Sequence, residues 1–208
     1  GALQALMTTL NAGSAAPDRY ETAVLDMPTG KLSTRAVATL IAQKMPEGSI
    51  LCGDSGGGAA VLQPAQQSKA HTWLNLTGGS IGQGGPVAVG AALAAPDAQV
   101  FALLGDGAAM YTIQALWTQA REGLAVITII FNNQRYGILE TEYLRLGVNE
   151  IGQHAGALFA LSEPNIHFAD LASSLGVVGH RVDSCEVFQT VLDEALQRNG
   201  PTLIEVML

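Results

Sequence analysis

Four short runs of apolar residues punctuate the chain: Ser49 to Cys52, Val100 to Leu104, Ala125 to Phe131 and Thr202 to Met207. Their continuity differs from the alternation of a strand wet on one face, and predicts strands buried on both faces, as in a parallel sheet. Between and before them, helical periodicity covers Thr34 to Lys44, Gly84 to Ala95, Ala109 to Glu122, Phe168 to Leu175 and Cys185 to Arg198, with Ser33 placed to cap the first. Strand and helix therefore alternate. The expected fold class is α/β, an open, doubly wound, mostly parallel sheet flanked by helices, with ligands bound beyond the carboxyl ends of the strands.

The first residues stand apart from this series. Ala2 to Leu10 look like the last turns of an amphipathic helix with nothing nearby to cover, and residues 11 to 32 mix small and polar residues with Pro17 and Pro28 in the manner of a linker. The expected division is residues 1–31 as the end of an upstream domain plus its linker, and 32–208 as one globular domain. On this reading the chain is a fragment or a processed product.

Composition narrows the ligand. With 208 residues, 48% hydrophobic and 13% charged, the chain can fill one good core. A net charge of -8 argues against a nucleic-acid groove or an anionic membrane surface, leaving small molecules and protein partners. Cys52 and Cys185 lie far apart with no CxxC or zinc spacing, which fits a reducing cytoplasm. No apolar run reaches the ~18 residues that a membrane span needs.

The candidate chemistry sits at two strand ends. Val100 to Leu104 runs into Gly105-Asp106-Gly107, where glycines permit a sharp turn and close approach, and a helix expected to start at Ala108 or Ala109 offers free N–H groups to an anion. The next strand ends in Asn132-Asn133, one strand-helix-strand unit later, so right-handed crossover geometry can bring Asp106 and Asn133 together. A carboxylate, an amide carbonyl and a loop carbonyl form a hard oxygen set suited to magnesium that completes its octahedron with phosphate and water. No lysine or arginine occurs between Ala70 and Ala120, so a phosphate here must be neutralised by metal and main-chain N–H groups.

Gly105-Asp106-Gly107 followed at this distance by Asn132-Asn133 resembles the fingerprint of thiamin-diphosphate-dependent enzymes. The resemblance covers about Leu32 to Leu208 and implies the C-terminal diphosphate-binding domain of that family, a flavodoxin-like fold. It implies Mg²⁺ held by Asp106, the Asn133 side chain and the main-chain carbonyl of Arg135. Gly105 belongs to the same turn, main-chain N–H groups of Gly107, Ala108 and Ala109 would face the diphosphate, and Tyr136 and Gly137 would flank it. Family members usually carry serine where Ala108 stands, which implies altered diphosphate contacts with binding kept. Thr77 to Pro86 resembles the loop under the pyrimidine ring, so Gly79 would offer its carbonyl to the 4'-amino group, Ser80 would adjoin it, and Ile81 would wedge between the rings. Gly56 and Gly57, in Gly53 to Gly58, fall where relatives contact the far diphosphate oxygens, and their glycine richness suits a backbone nest.

Within the family, Leu76 to Gly84 and Met110 to Glu122 look most like acetolactate synthase-like proteins, with benzoylformate decarboxylase and benzaldehyde lyase as neighbours. The implied whole enzyme acts on a 2-oxo acid, is a homo-oligomer (dimer or tetramer), takes its glutamate acid from the pyrimidine-binding domain of a partner subunit, and serves branched-chain amino acid biosynthesis. No residue here matches that glutamate, so no catalytic acid or base is expected in this chain, which alone would be inactive. Other arrangements are a decarboxylase or aldehyde lyase, or one subunit of a split enzyme. A Rossmann dinucleotide site is a further alternative, but Met110 replaces the third glycine and no acid ends the next strand. Asn132 is expected to be structural, and the histidines, Trp73 and Trp117 to serve packing or surface.

Overall fold

The structure, a computed structural model, describes residues 1–11, 21–54, 56–148 and 150–208. Pro17 of the expected linker and Ser55 of the glycine-rich turn lie outside the described residues. Helix α1 (Ala2–Thr9) buries none of its residues, leaving Leu3 and Leu6 exposed. Then come α2 (Thr34–Lys44), β1 (Ser49–Gly53), α3 (Gly56–Ala65), β2 (His71–Leu74), α4 (Gly84–Ala94) and β3 (Val100–Gly105). Next are α5 (Asp106–Ala109), α6 (Ala115–Arg121), β4 (Val126–Asn132), α7 (Gly137–Arg145) and α8 (Gln153–Phe159). The series closes with α9 (Phe168–Ser174), β5 (Val178–Val182), α10 (Cys185–Gln197) and β6 (Thr202–Met207).

Among the described residues the strands form one six-stranded, wholly parallel sheet in the order β2-β1-β3-β4-β6-β5. The expected α/β fold is therefore observed. Side chains alternate between two cores: Phe101 and Leu103 point with Ile127, Ile129 and Ile204 toward α2, α3 and α10, while Val100, Ala102 and Leu104 point with Ile130 and Leu203 toward α4, α6 and α9. Burial on both faces explains the unbroken apolar runs, each such side chain contributing about 1.5–3 kcal/mol. Helix α10 turns Phe188, Val191, Leu192 and Ala195 inward, and Ser184 caps it by accepting the Val187 N–H at 3.4 Å. Ser33 caps α2 in the same way through the Ala36 N–H, at 3.2 Å, as its position foretold.

From β1 the chain moves outward to β2, whereas from β3 it moves the other way to β4, so the strand order reverses between β1 and β3. Diverging connections open a crevice there, beyond the carboxyl ends of the two strands.

Four local expectations need correction. The helix after β3 starts at Asp106, two residues early, because Gly105 is extended (φ -80, ψ 157) and serves as its cap. The helix expected over Ala109 to Glu122 is broken into α5 and α6 by tight turns from Tyr111 to Ala108 and from Thr112 to Ala109. Gly56 to Gly58 are helical rather than a loop nest. Their glycines answer crowding: a Cβ on Gly57 would meet the Phe131 ring at 2.6 Å, and one on Gly58 the Leu103 carbonyl at 2.8 Å. Finally, β2 and β5 were not expected; as edge strands of the sequences HTWL and VGHRV they are half-wet and lack a continuous apolar run.

Candidate functional site

Pairing of β3 with β4 sets Gly105 opposite Phe131, so the residues that follow each strand lie side by side. Asp106 is buried, with Oδ1 accepting the Gly107 N–H at 2.8 Å and Oδ2 accepting the Asn133 N–H at 3.2 Å. Burial pushes its carboxyl pKa up, while the N–H groups of Gly107, Gln134, Asn133 and Arg135 pull it back. Asn133 lies exposed at the cavity mouth, and its Oδ1 accepts the Arg135 N–H at 3.2 Å. The Asp106 carboxylate thus reaches the main chain of Asn133, while the Asn133 side chain folds back onto the Arg135 N–H.

That turn is fixed from below. Gln134 takes a left-handed conformation (φ 58), and its N–H is held by Asn132 Oδ1 at 3.0 Å. Asn132 Nδ2 donates in turn to Glu205 Oε1 at 2.7 Å, and Glu205 Oε2 accepts the Ala169 N–H at 3.2 Å. Glu205, on the neighbouring strand β6, is fully buried. Asn132 is structural, as expected, and the carboxylate behind it went unnoticed in the sequence. Only a buried acid within an otherwise apolar strand hinted at it.

The cavity at the β1/β3 crevice measures about 590 Å³. Gly57, Ile81, Gly105, Gly107, Ala108, Asn133, Arg135, Tyr136 and Gly137 line it, with Asp54, Trp73 and Phe131. Asp106 and Ala109 are buried at its edge, Gly56 opens α3, and Gly79 and Ser80 lie on the exposed side of their loop. Gly79 and Ser80 thus do not line the cavity, and the Gly79 carbonyl accepts the Ile81 N–H at 3.1 Å. The Tyr136 ring lies against the start of α5, where a Cβ on Gly107 would approach it to 2.5 Å. The Arg135 guanidinium pairs with Glu140 at 3.1 Å, leaving its main chain to the turn.

A larger depression of about 750 Å³ lies between residues 25–28 and helices α2 and α3. Its polar lining is made of exposed chains such as Arg35 and Gln63, away from the strand ends, which leaves the smaller cavity as the candidate site.

Two further residues missed in the sequence hold the glycine loop. Asp54 Oδ2 accepts the N–H groups of Gly82 and Gly84, and the Thr112 hydroxyl donates to the Gly82 carbonyl. Burial raises the Asp54 pKa, and the hydrogen bonds from Gly84 and Gly82 lower it.

Among the described residues, no three acidic, histidine or cysteine side chains gather to cage a metal. A cation here would need oxygens from a bound ligand. The donors fit that role: the Asp106 carboxylate and the Asn133 amide carbonyl belong to adjoining strand ends, joined through the Asn133 N–H, and leave further positions to ligand and water.

A wholly parallel sheet, with a glycine-lined crevice where the strand order reverses and a buried carboxylate at the end of the next strand, defines an α/β domain with a ligand cleft at its strand ends. The family profile "Thiamine pyrophosphate enzyme, C-terminal TPP binding domain" matches residues 52–206, and the chain belongs to this family. It is 44% identical over 184 residues to the acetolactate synthase large subunit-like protein IlvX of Mycobacterium tuberculosis, covering 88% of this chain and 36% of that protein. With benzoylformate decarboxylase of Pseudomonas aeruginosa it shares 32% over 178 residues, 85% of this chain and 32% of the relative. Among solved structures, the thiamine diphosphate-dependent 4-hydroxybenzoylformate decarboxylase of Rhodococcus jostii RHA1 superimposes with a TM-score of 0.75 at 33% identity, over 92% of this chain and 35% of that one. The chain thus spans about a third of the length of these relatives.

Proposed function

We propose that this thiamin-diphosphate-binding domain holds its cofactor's diphosphate through Mg²⁺ and serves an enzyme that joins 2-oxo acid fragments, as acetolactate synthases do. The carrying observation is that Asp106 Oδ2 accepts the Asn133 N–H across 27 residues, where β3 and β4 end side by side. Asp106, the Asn133 side chain and the Arg135 main-chain carbonyl would hold the metal. Main-chain N–H groups of Gly107, Ala108 and Ala109, with Gly56 and Gly57 opposite and Gly105 in the turn, would receive the diphosphate, while Tyr136 and Gly137 close the near wall. Gly79, Ser80 and Ile81 would meet the pyrimidine side.

A bound cofactor would supply nucleophilic chemistry toward the carbonyl of a 2-oxo acid. The chain's residues bind and orient. Burial raises the Asp106 pKa and the neighbouring N–H groups offset part of that rise, so a bound cation would favour its charged form. Ile81 and Trp73 give the cavity an apolar wall. Proton transfer would come from a pyrimidine-binding domain of a partner subunit. The exposed apolar residues Ile138, Leu139, Leu144, Leu146 and Leu158 suit contact with further protein in a homo-oligomer. The absence of a helix long and apolar enough to cross a membrane among the described residues, with the spaced thiols, is compatible with a cytoplasmic setting.

Similarity to two benzoylformate decarboxylases favours a second reading, simple decarboxylation of a 2-oxo acid. Product analysis of the whole enzyme on pyruvate and benzoylformate separates the two: a coupled hydroxy-keto acid supports carboligation, a free aldehyde the alternative. For the domain itself, calorimetric titration with thiamin diphosphate, with and without Mg²⁺, should show metal-dependent binding that Asp106→Ala abolishes. Equal binding by the variant would remove Asp106 from the metal site.

A further inference from the structure

Asp54, directly after β1, is 1% exposed, yet only one of its carboxylate oxygens is used. Oδ2 accepts the Gly82 N–H at 2.9 Å and the Gly84 N–H at 2.8 Å, whereas Oδ1 has no hydrogen-bond partner among the described residues. A buried, half-satisfied carboxylate disfavours folding, so its two bonds must be judged by what they hold.

They hold a loop that cannot place itself. Gly78, Gly79 and Gly82 have φ of 64, 69 and 96, a region that glycine enters freely and other residues rarely do. Within the loop, Gln83 Nε2 donates to the carbonyls of Thr77 and Ser80, both at 2.9 Å. These bonds fix the loop's shape but not its position on the sheet. Among the described residues, the side-chain hydrogen bonds reaching it from elsewhere come from Asp54 and Thr112, and both end on Gly82 or Gly84, next to Ile81. Packing tightens the same joint: a Cβ on Gly84 would lie 2.5 Å from Asp54 Cβ. Since Gly56 opens α3 two residues beyond, Asp54 also joins the two glycine-rich walls of the cavity.

We propose that Asp54 is a positioning residue: by gripping the N–H groups of Gly82 and Gly84 it sets the glycine loop against the end of β1 and so fixes where Ile81 enters the cavity. It acts through the main chain and touches no reacting atom. The consequence for the cofactor rests on the reading of this loop as the pyrimidine contact; the anchoring itself does not.

The test combines amide hydrogen exchange at Gly82 and Gly84, read by NMR on the full chain, with calorimetry of thiamin diphosphate and Mg²⁺ on the same samples. Asp54→Ala should speed exchange at both glycines by about ten-fold or more relative to the core strands, and weaken the cofactor by about ten-fold. Asp54→Asn, which keeps volume and an acceptor oxygen, should restore both to within about three-fold of the wild type. Unchanged exchange in a folded Asp54→Ala overturns the anchoring, and faster exchange with unchanged cofactor affinity overturns the positioning role. Should Asp54→Ala not fold, Asp54→Glu decides, because its extra methylene has to displace the loop; wild-type exchange and affinity there overturn the proposal. A wild-type chain that binds no cofactor counts against the pyrimidine reading, and the exchange comparison then still decides the anchoring.

Discussion

Two loops border the same cavity and are built on opposite plans. The turn from Asn133 to Gly137 brings polar side chains to the site, and it is held by an anchor that starts in the core, from Glu205 through Asn132 to the Gln134 N–H. The loop from Thr77 to Gly84 brings glycine backbone and one apolar side chain, Ile81, and is held at its far end by Asp54 and Thr112. In the first, a buried acid fixes the geometry of neutral oxygen ligands; in the second, a buried acid fixes a shape. Where a site needs ligand atoms in register, side chains come from strand ends, and where it needs close approach, glycine supplies room and an outside side chain supplies order.

The largest expected effect falls on the first loop. Glu205→Ala leaves the Asn132 amide and the Ala169 N–H buried without an acceptor, and should cost about 3 kcal/mol in urea unfolding. A cost as small as that of a surface substitution would mean that the anchor is dispensable. Gly107→Ala should cost about 1–3 kcal/mol, because its Cβ would meet the Tyr136 ring, and Tyr136→Ala in the same chain should recover part of it. Additive losses would show that the ring is free to move away.

Ile81→Ala sharpens the contrast, since the side chain is 44% exposed. Stability should stay within about 0.5 kcal/mol while cofactor affinity falls, which thermal melts and calorimetry can separate. A large stability loss would make Ile81 a core residue. The smallest effect is one of pH. Burial raises the folded-state pKa of Asp54, so its contribution to stability is full below the unfolded value and is lost as pH rises through the folded value. The stability of wild type relative to Asp54→Asn should therefore decline as pH rises through the carboxylate range and then level off. A relative gain with rising pH would mean that the N–H groups of Gly82 and Gly84 outweigh desolvation.

Legibility followed burial. Runs such as Val126 to Phe131 are buried on both faces, so the central strands were evident, whereas β2 and β5 alternate with solvent at the edges and left no apolar signature. Ser33 and Ser184 both cap helices, but the break between α5 and α6 was hidden because Tyr111 to Gln114 keep helical spacing while their bonds tighten. At the site, glycine triplets and asparagine pairs were visible because each needs only its own neighbours. Asp54 and Glu205 were not, since their partners lie 28 and 73 residues away.

By itself the sequence determined the α/β alternation, the family, and the strand ends at which Asp106 and Asn133 stand, because periodicity and turn chemistry are local and an ordinary crossover brings consecutive strand ends together. Tertiary structure alone decided that β1 joins them at the reversal of strand order, that Asp54 and Glu205 hold the two loops from beneath, and that glycines at 57 and 107 make room for Phe131 and Tyr136. Those are contacts between distant segments, and their partners are chosen by packing rather than by spacing along the chain.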